Sequence, residues 1–192
     1  MNAIITSYIT GFILTGGKSR RMGTDKALLM FQGKPLLEHM IVLITPFCNK
    51  VFISGQNSDY TRFGIEMVPD IYSDCGPISG IFSALKYSVS DWNLLISVDV
   101  PFANEDLFLS LISNTGEYDC IIPKHVSGVE PLIGLYHRRT LPVIEEMINS
   151  GDYRLTNLLA KLNAHYLDCN ELIKKHPRLF MNINRMEDYQ SI

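Results

Sequence analysis

Short apolar runs of strand length alternate with longer segments of helical spacing along the first two thirds of the chain. Most of the runs are rich in β-branched residues and end close to glycine, proline or aspartate, as strands commonly do. The predicted strands are residues 9–15, 50–54, 65–68, 93–98 and 118–122, the last ended by Pro123, and the predicted helices are residues 36–44, 77–87 and 104–113. Because these strands are apolar on both faces, helices are expected to cover both sides of their sheet.

This alternation predicts an α/β fold, a three-layer α/β/α, Rossmann-like arrangement with a mixed, mostly parallel sheet. Residues 127–141 interrupt the pattern, and we expect them to supply a strand and a loop that crosses the ligand-binding face. No repeat, linker or low-complexity tract divides the chain, so residues 1–192 are predicted to form one domain. Ligands of open α/β sheets bind beyond the carboxyl ends of the strands, which here are followed by loops 15–26, 54–57, 69–80 and 99–101.

The composition excludes two classes of protein. With 46% hydrophobic and 19% charged residues, the 192-residue chain is too apolar for a disordered protein and long enough to bury a core. It has 17 basic and 20 acidic residues, a net charge of −3. Nucleic-acid binding needs a clustered surplus of lysine and arginine, so no nucleic-acid partner is expected.

The cysteines and the amino terminus favour the cytoplasm. Cys48, Cys75, Cys120 and Cys169 are widely spaced and form no CxxC pair, which predicts free, mostly buried thiols and no zinc site. Residues 1–17 are apolar but lack a basic segment before the apolar run, and the run is too short to span a bilayer. We therefore expect a buried strand there, no export signal and no membrane association.

A glycine-rich, cationic loop follows the first predicted strand. It contains Gly16, Gly17 and Gly23 together with the cations Lys18, Arg20, Arg21 and Lys26. Glycines let backbone N–H groups approach a phosphate, and the cations can neutralise it, so the loop predicts a polyphosphate site. The spacing matches neither a Walker A loop nor the GxGxxG dinucleotide fingerprint.

A single carboxylate ends the clearest predicted strand. Asp99 stands at the carboxyl edge of the sheet, where a hard cation that bridges phosphates would be held. The alternative is that Asp99 caps the helix that follows Pro101. The five histidines are scattered, without a Ser-His-Asp or Cys-His pattern, so none is expected to be catalytic.

The glycine-rich segment LTGGKSRRMGTDK resembles the LxGGxSxRMGxDK signature of the molybdenum cofactor guanylyltransferases, the MobA family. These enzymes are nucleotidyltransferases with a glycosyltransferase-A-like fold. The resemblance continues over nearly the whole chain, through GKPL at 33–36, Asp70, the Gly76-Pro77 pair, VDVP at 98–101, EPL at 130–132 and NIN at 182–184.

The resemblance implies roles for individual residues. Leu14, Thr15, Gly16 and Gly17 would lie against the nucleotide, Lys26 and Arg21 would bind its phosphates, and Asp99 would bind Mg²⁺. Asp70, Gly76 and Pro77 would also contact the nucleotide. Ser54 stands where the family often has asparagine, a contact that Gln56 or Asn57 could replace.

A second set of residues is implied for the pterin substrate, namely Glu130, Asn182 and Asn184. For Asn182 and Asn184 the alternative is loop capping by Asx turns, and for Glu130 it is a buried structural role.

The implied reaction is transfer of GMP from GTP to the phosphate of the molybdopterin cofactor, with Arg21, Lys26 and Asp99 as the catalytic residues and Mg²⁺ as the cofactor. The family also implies molybdenum insertion and cofactor-delivery proteins as partners. Three alternatives stay open: a CTP-dependent cytidylyltransferase, whose signature has alanine in place of Gly16, a sugar-phosphate nucleotidyltransferase, and a nucleotide-binding regulatory protein without activity.

Overall fold

A mixed, mostly parallel sheet forms the centre of the protein. The structure, a computed structural model, describes residues 9–16 and 25–183. Its main sheet has the order β10-β7-β9-β6-β1-β4-β5, with β8 paired to β7. The strands are β1 Ile9–Leu14, β4 Lys50–Ser54, β5 Met67–Val68, β6 Trp92–Ser97, β7 Cys120–His125, β8 Gly128–Val129, β9 Ile133–His137 and β10 Ala164–Asp168, while β2 Met30–Phe31 and β3 Lys34–Pro35 form a separate hairpin.

The strand directions bring one set of chain segments to one edge of the sheet. β1 pairs in parallel with β4 and β6, β4 with β5, and β10 with β7, whereas β9 is antiparallel to both of its neighbours. The segment that leads into β9 therefore lies at the same edge as the carboxyl ends of β1, β4, β6 and β7. This edge carries the loops in which a ligand was expected.

Helices cover both faces of the sheet, as predicted. They are α1 Leu36–Ile44, α2 Pro77–Tyr87, α3 Glu105–Ser113, α4 Leu141–Asn149, α5 Leu155–Lys161 and α6 Asn170–Lys175. One apolar cluster joins α1 and α3 to the sheet through residues such as Ile13 and Phe108. A second cluster joins α2, α4 and α5 to the opposite face, through Phe12 and Ile144 among others. The three-layer α/β/α prediction is confirmed.

Three elements match their predicted bounds to the residue. The helices at 36–44 and 77–87 are confirmed to the residue, since in each a proline stands at or just before the first helical position and an apolar stripe faces the sheet. The strand at 50–54 is also confirmed to the residue. The predicted strands at 9–15, 65–68 and 93–98 and the helix predicted at 104–113 differ from the structure by one or two residues at their ends, and the strand predicted at 118–122 by up to three. The segment 127–141 supplies β8, β9 and the intervening loop, as expected.

The prediction that Pro123 ends a strand was wrong, because β7 continues through it to His125. The Pro123 carbonyl accepts a hydrogen bond from the Glu130 N–H at 3.0 Å, on the side where β7 has already separated from β9. The nitrogen and the carbonyl of a strand residue point to the same side. The missing N–H of Pro123 therefore removes no ladder bond to β10, the condition under which a strand accepts proline.

The four cysteines are free thiols, as predicted, and Cys75, Cys120 and Cys169 are buried. Burial raises the pKa of the Cys48 and Cys120 thiols to about 12, so that neither is a thiolate near neutral pH. Among residues 9–16 and 25–183, no helix is long and apolar enough to cross a membrane.

Candidate active site

Two clefts adjoin at the carboxyl edge of the sheet. The first cleft, with a volume of about 190 Å³, lies beyond the ends of β1, β4 and β6 and is lined by Leu14, Gly16, Ser54, Asp70, Asp74, Gly76, Pro77, Gly80, Ser97 and Leu132. The second cleft, of about 210 Å³, is lined by Ser97, Asp99, Val100, Glu130, Pro131, Leu132, Ile133, Leu155 and Asn182. Ser97 and Leu132 belong to both linings, so the two clefts are neighbours with a shared wall.

The floor of the first cleft is held together by backbone hydrogen bonds around the end of β1. The N–H and the hydroxyl of Thr15 both donate to the Ser54 carbonyl, at 3.1 Å and 2.8 Å. The Val98 N–H donates to the Leu14 carbonyl at 3.0 Å. These bonds join the loops that leave β1, β4 and β6 in register, so the backbone of Leu14 and Gly16 is presented to the cleft at a fixed position.

Gly80 keeps the other wall of the first cleft open. It lies in α2, and a Cβ at this position would stand 3.4 Å from the Ser54 hydroxyl, 3.7 Å from an Asp70 carboxylate oxygen and 3.7 Å from a Leu14 methyl carbon. Any side chain longer than a methyl group would therefore project among the residues that line the cleft.

Two carboxylates, Asp70 and Asp74, also line the first cleft. Partial burial raises the pKa of the Asp70 carboxyl above its ordinary value. Next to it, the Ser83 hydroxyl accepts the Ile71 N–H at 2.8 Å and fixes the turn after Asp70 onto α2. Carboxylates are acceptors, so this part of the cleft suits N–H or O–H donors of a ligand.

Asp99 lines the second cleft two residues after Ser97, which both clefts share, and we call this place the junction. The Ser97 hydroxyl donates to Asp99 Oδ1 at 2.6 Å, and Lys26 Nζ lies 3.7 Å from Asp99 Oδ2. Both side chains of this ion pair are partly buried, with 18% of Lys26 and 23% of Asp99 exposed. A cation from the glycine-rich loop and the carboxylate at the end of β6 therefore lie side by side at the junction. Helix α3 is capped by Asn104, whose side chain accepts the Leu107 N–H, so Asp99 is not its cap.

Asp25 fastens the end of the glycine-rich loop to the segment after β4. Its carboxylate accepts hydrogen bonds from Asn57 Nδ2 at 2.6 Å, the Tyr60 hydroxyl at 2.8 Å and the Ala27 N–H at 3.0 Å. Burial, with the Asp25 hydrogen bond next, raises the pKa of the Tyr60 hydroxyl, which stays a donor at neutral pH. Sequence reasoning assigned Asp25 no role, although it stands beside Lys26 in the motif.

Comparison with known proteins agrees with this geometry. A family model described as a MobA-like NTP transferase domain matches residues 11–166, which are most of the chain. The chain belongs to the MobA-like NTP transferase family. It is therefore a nucleotidyltransferase, and the family resemblance predicted from the sequence is confirmed.

Individual MobA-like relatives match over nearly their whole length. A Flavobacterium johnsoniae protein named as a probable molybdenum cofactor guanylyltransferase is 35% identical over 185 residues, which are 96% of each chain. A Clostridium perfringens protein of the same name is 30% identical over 185 residues, 94% of this chain and 93% of the relative. The structure of molybdopterin-guanine dinucleotide biosynthesis protein A from Archaeoglobus fulgidus has a TM-score of 0.81 at 27% identity, over 95% of both chains.

Most residues that the MobA resemblance singled out line the two clefts. Leu14, Gly16, Ser54, Asp70, Gly76 and Pro77 line the first cleft, and Asp99, Glu130 and Asn182 line the second. Thr15 is part of the hydrogen-bonded floor, and Lys26 pairs with Asp99. Gly17, Arg21 and Asn184 lie outside the described residues.

Neither Gln56 nor Asn57 is placed to replace the nucleotide contact that the sequence analysis expected near Ser54. The Asn57 amide is turned toward Asp25, and Asn57 does not line the first cleft. Gln56 is exposed and does not line it either. Ser54 itself lines the cleft, with its hydroxyl opposite Gly80. Asp74 is a further lining residue that the sequence did not indicate.

The side chains at the junction suit a metal ion that is bound together with the phosphates of a substrate. In the described part of the chain, no three histidine, cysteine, aspartate or glutamate side chains form a cluster that could hold a metal. Mg²⁺ is commonly bound by one or two carboxylates together with substrate phosphates and water. A lone Asp99, with its Oδ1 fixed by Ser97, fits that pattern and does not fit a resident zinc ion.

Proposed function

We propose that this protein transfers the GMP group of GTP to the terminal phosphate of molybdopterin, releasing pyrophosphate and forming the guanine dinucleotide cofactor. The observation that carries this proposal is the pair of clefts that share Ser97 and Leu132, with the Lys26–Asp99 ion pair hydrogen-bonded to Ser97 through Asp99. A group transfer between two substrates needs two such neighbouring sites with the charged residues at their junction. The names of the relatives from Flavobacterium johnsoniae and Clostridium perfringens supply the substrates.

The first cleft suits the nucleoside of GTP. Its glycine-rich and small-residue walls let the ligand approach the backbone of Leu14 and Gly16, and its carboxylates, Asp70 and Asp74, offer acceptors. Guanine presents two adjacent N–H donors and ribose presents hydroxyls, so these acceptors match the ligand. The triphosphate would then run toward Lys26, with Gly17 and Arg21 contributing from the glycine-rich loop.

The transfer itself needs little acid–base chemistry. An oxygen of the molybdopterin phosphate attacks the α-phosphorus of GTP, a P–O bond forms there, and the bond to the β-phosphate oxygen breaks with its electron pair leaving on pyrophosphate. The nucleophile is already an anion, so no strong general base is required. The protein has to hold two anions in line and offset their repulsion. Lys26 and Arg21 would do so by neutralising the charge that develops on pyrophosphate.

Asp99 would hold Mg²⁺ at the junction, with Ser97 orienting its carboxylate. When bound, Mg²⁺ supplies positive charge shared between phosphate oxygens, which is its usual contribution in phosphoryl and nucleotidyl transfer. Lys26, now 3.7 Å from Asp99, would contact the phosphates from the same side.

The second cleft suits the pterin substrate. Glu130 and Asn182 line it, and Asn182 is fixed by the Ile183 N–H, which donates to the Asp99 carbonyl at 2.9 Å. The family resemblance also assigns Asn184 to the pterin substrate. Since the Asn182 segment is bonded directly to Asp99, the acceptor phosphate and the metal site would be positioned by the same piece of backbone.

The test is a turnover assay with purified protein, molybdopterin, Mg²⁺ and each of the four nucleoside triphosphates, followed by pyrophosphate release. We expect GTP to give the highest kcat/KM. A higher value with CTP would replace the guanylyltransferase by the cytidylyltransferase alternative, and pyrophosphate release that does not depend on molybdopterin would contradict the acceptor.

The remaining expectations concern location and partners. We propose the cytoplasm as the site of the reaction, because four free thiols suit a reducing compartment that also contains nucleoside triphosphates. Docking of a molybdenum insertion or cofactor-delivery protein stays a prediction, and a pull-down with such a protein would test it.

A further inference from the structure

Asp25 carries a negative charge next to Lys26, one of the cations proposed to bind phosphate. One oxygen of its carboxylate accepts hydrogen bonds from Asn57 Nδ2 at 2.6 Å and from the Tyr60 hydroxyl at 2.8 Å. The other oxygen accepts the Ala27 N–H at 3.0 Å. Both carboxylate oxygens are therefore occupied by donors, and two of these donors are side chains of the segment that follows β4.

The two donor side chains, Asn57 and Tyr60, are themselves fixed in place. Tyr60 belongs to the 3₁₀ helix Ser58–Phe63, which begins after Asn57, and Asn57 Oδ1 accepts the Asp59 N–H at 3.0 Å. Because the Asn57 side chain accepts one hydrogen bond and donates another, the orientation of its amide is determined. The Tyr60 ring is buried, and a Cβ on Gly55 would stand 3.5 Å from its edge. The donors to Asp25 thus belong to a segment packed against the turn that follows β4.

The Asp25 carboxylate also determines how Lys26 leaves the backbone. Lys26–Leu28 is a single turn of 3₁₀ helix with Asp25 as its N-cap, and the Leu28 N–H donates to the Asp25 carbonyl at 3.1 Å. Lys26 is the first residue of this turn, so its direction follows from the conformation of Asp25. In this conformation the Lys26 ammonium lies 3.7 Å from Asp99 Oδ2, at the junction.

The charge of Asp25 gives these hydrogen bonds a second effect. A carboxylate adjacent to a phosphate-binding cation attracts the cation and repels the phosphates. Neutral donors that bind both oxygens of the carboxylate fix the direction in which its charge points and offset part of that charge. Asn57 and Tyr60 therefore keep Asp25 engaged with the segment after β4, while Lys26 pairs with Asp99 at the junction.

We propose that Tyr60 and Asn57 are positioning residues of the nucleotidyl transfer, which hold the Asp25 carboxylate so that Lys26 is directed at the phosphates of the bound nucleoside triphosphate. This inference rests on the proposed function and deepens it. Neither Tyr60 nor Asn57 lines either cleft, so both act through Asp25. Loss of either side chain should weaken binding of the phosphates and leave binding of the nucleoside unchanged.

The experiment is a double-variant cycle on the full-length protein, measured by titration calorimetry with GTP and Mg²⁺ and with guanosine, which has no phosphate. Tyr60→Phe removes the hydroxyl and keeps the packed ring. It should bind GTP roughly 3- to 10-fold more weakly, the range that loss of one hydrogen bond produces, with unchanged affinity for guanosine. Lys26→Met removes the cation, and adding Tyr60→Phe to it should cause no further loss, since Tyr60 acts through Lys26.

A merely structural role of Tyr60 would give different results. An unchanged affinity for GTP in Tyr60→Phe, equal losses for GTP and guanosine, or an equally large further loss in the Lys26→Met background would each overturn the proposal. If guanosine binds too weakly to measure, the cycle with GTP decides alone. The matched control is Tyr87→Phe, which removes a hydroxyl that donates to the Glu66 carboxylate in an exposed pair outside both cleft linings, and it should bind GTP as the wild type does.

A second variant covers the case in which Tyr60→Phe does not fold, which its melting temperature would reveal. Asn57→Ser keeps a hydroxyl that can accept the Asp59 N–H but is too short to reach Asp25. It enters the same cycle with Lys26→Met, and the same loss for GTP without a loss for guanosine is expected.

The failure of this proposal can be distinguished from the failure of the proposed function. If the wild-type protein binds and transfers the nucleotide of CTP instead of GTP, the guanylyl transfer is wrong, and the cycle run with CTP decides the positioning role. If it forms the guanine dinucleotide and the losses of Tyr60→Phe and Lys26→Met add, the function stands and the positioning role is wrong. Binding of no nucleoside triphosphate would overturn both.

Discussion

The two clefts are built by different means. The first cleft is walled largely by backbone, glycines and small side chains at the ends of parallel strands, and its shape depends on the bonds between Thr15, Ser54 and Val98. The second cleft is walled by a loop that leads into the antiparallel strand β9, with Glu130 held by His125. On the proposed function, the first cleft would accept a nucleotide through close approach to its backbone, whereas the second cleft presents side chains, Glu130 among them, to the second substrate.

The largest expected effect is at Asp99, which lines the second cleft beside Ser97, a residue that both clefts share. Asp99→Asn should lower kcat on the order of 10²- to 10³-fold, because an oriented charge at the reacting phosphates is lost. Steady-state kinetics check this, with Glu171→Gln as the control because the Glu171 side chain is 82% exposed. Retention of full activity in Asp99→Asn would remove Asp99 from the mechanism.

The first cleft can be closed without touching the second. Gly80→Leu would extend a side chain from α2 among Ser54, Asp70 and Leu14, and we expect the KM for GTP to rise roughly tenfold or more through steric conflict. Pterin binding should be unchanged. The matched control is Gly80→Ala, whose Cβ would make only ordinary or slightly tight contacts. If Gly80→Leu leaves the KM for GTP unchanged, the nucleoside does not occupy the first cleft.

The floor of the first cleft also depends on Gly55, which has no side chain. A Cβ on Gly55 would come within 2.3 Å of the Thr15 hydroxyl oxygen, so Gly55→Ala should lower the free energy of unfolding by about 1–3 kcal/mol. Denaturant unfolding of Gly55→Ala, Thr15→Ala and the double variant measures this. The double variant should be less destabilised than the sum of the two single changes, since the clash needs both groups. Simple additivity would mean that the clash is relieved elsewhere.

The smallest expected effect concerns Asp70 and depends on pH. Burial raises the pKa of its carboxyl in the folded state, so the folded protein binds more protons than the unfolded chain between the ordinary value of about 4 and the raised value. Stability therefore falls as pH rises through that window. Asp70→Asn should melt higher than wild type at neutral pH, with the difference lost below about pH 4. Its stabilisation by GTP should be smaller, and the exposed residue Asp59, changed to Asn, is the control. A lower melting temperature at neutral pH would contradict the burial argument.

The sequence predicted best the elements whose ends carry a local signal. Helices α1 and α2 were predicted to the residue because proline marks where each begins and buried apolar residues recur on one face. Two of the later elements are partly or largely exposed, and their apolar periodicity is correspondingly weak. The strand β10 has no buried residue in its pattern, and α6 buries none of its side chains. Such elements are specified by the surface on which they pack, which a local pattern does not contain.

The same limit applies to the site. Glycines and cations adjacent in sequence led to the prediction of a phosphate loop, and an aspartate after a buried strand led to the prediction of a metal ligand at Asp99. The contacts that hold these residues in place join distant segments, as when Asn57 and Tyr60 bind Asp25. The pairing of His125 with Glu130 depends on the hairpin of β7 and β8, and the strand predicted from the sequence ends before that hairpin, at Pro123.

The central claim is that one phosphate group in each of two neighbouring clefts reacts at the Asp99 junction, and labelled GTP tests it most directly. With molybdopterin and Mg²⁺, label in the α-phosphate should appear in the guanine dinucleotide product, and label in the γ-phosphate should appear in pyrophosphate. Asp99→Asn should abolish most of both signals. Release of the γ-label as orthophosphate, or an α-label that never reaches the pterin product, would contradict the account.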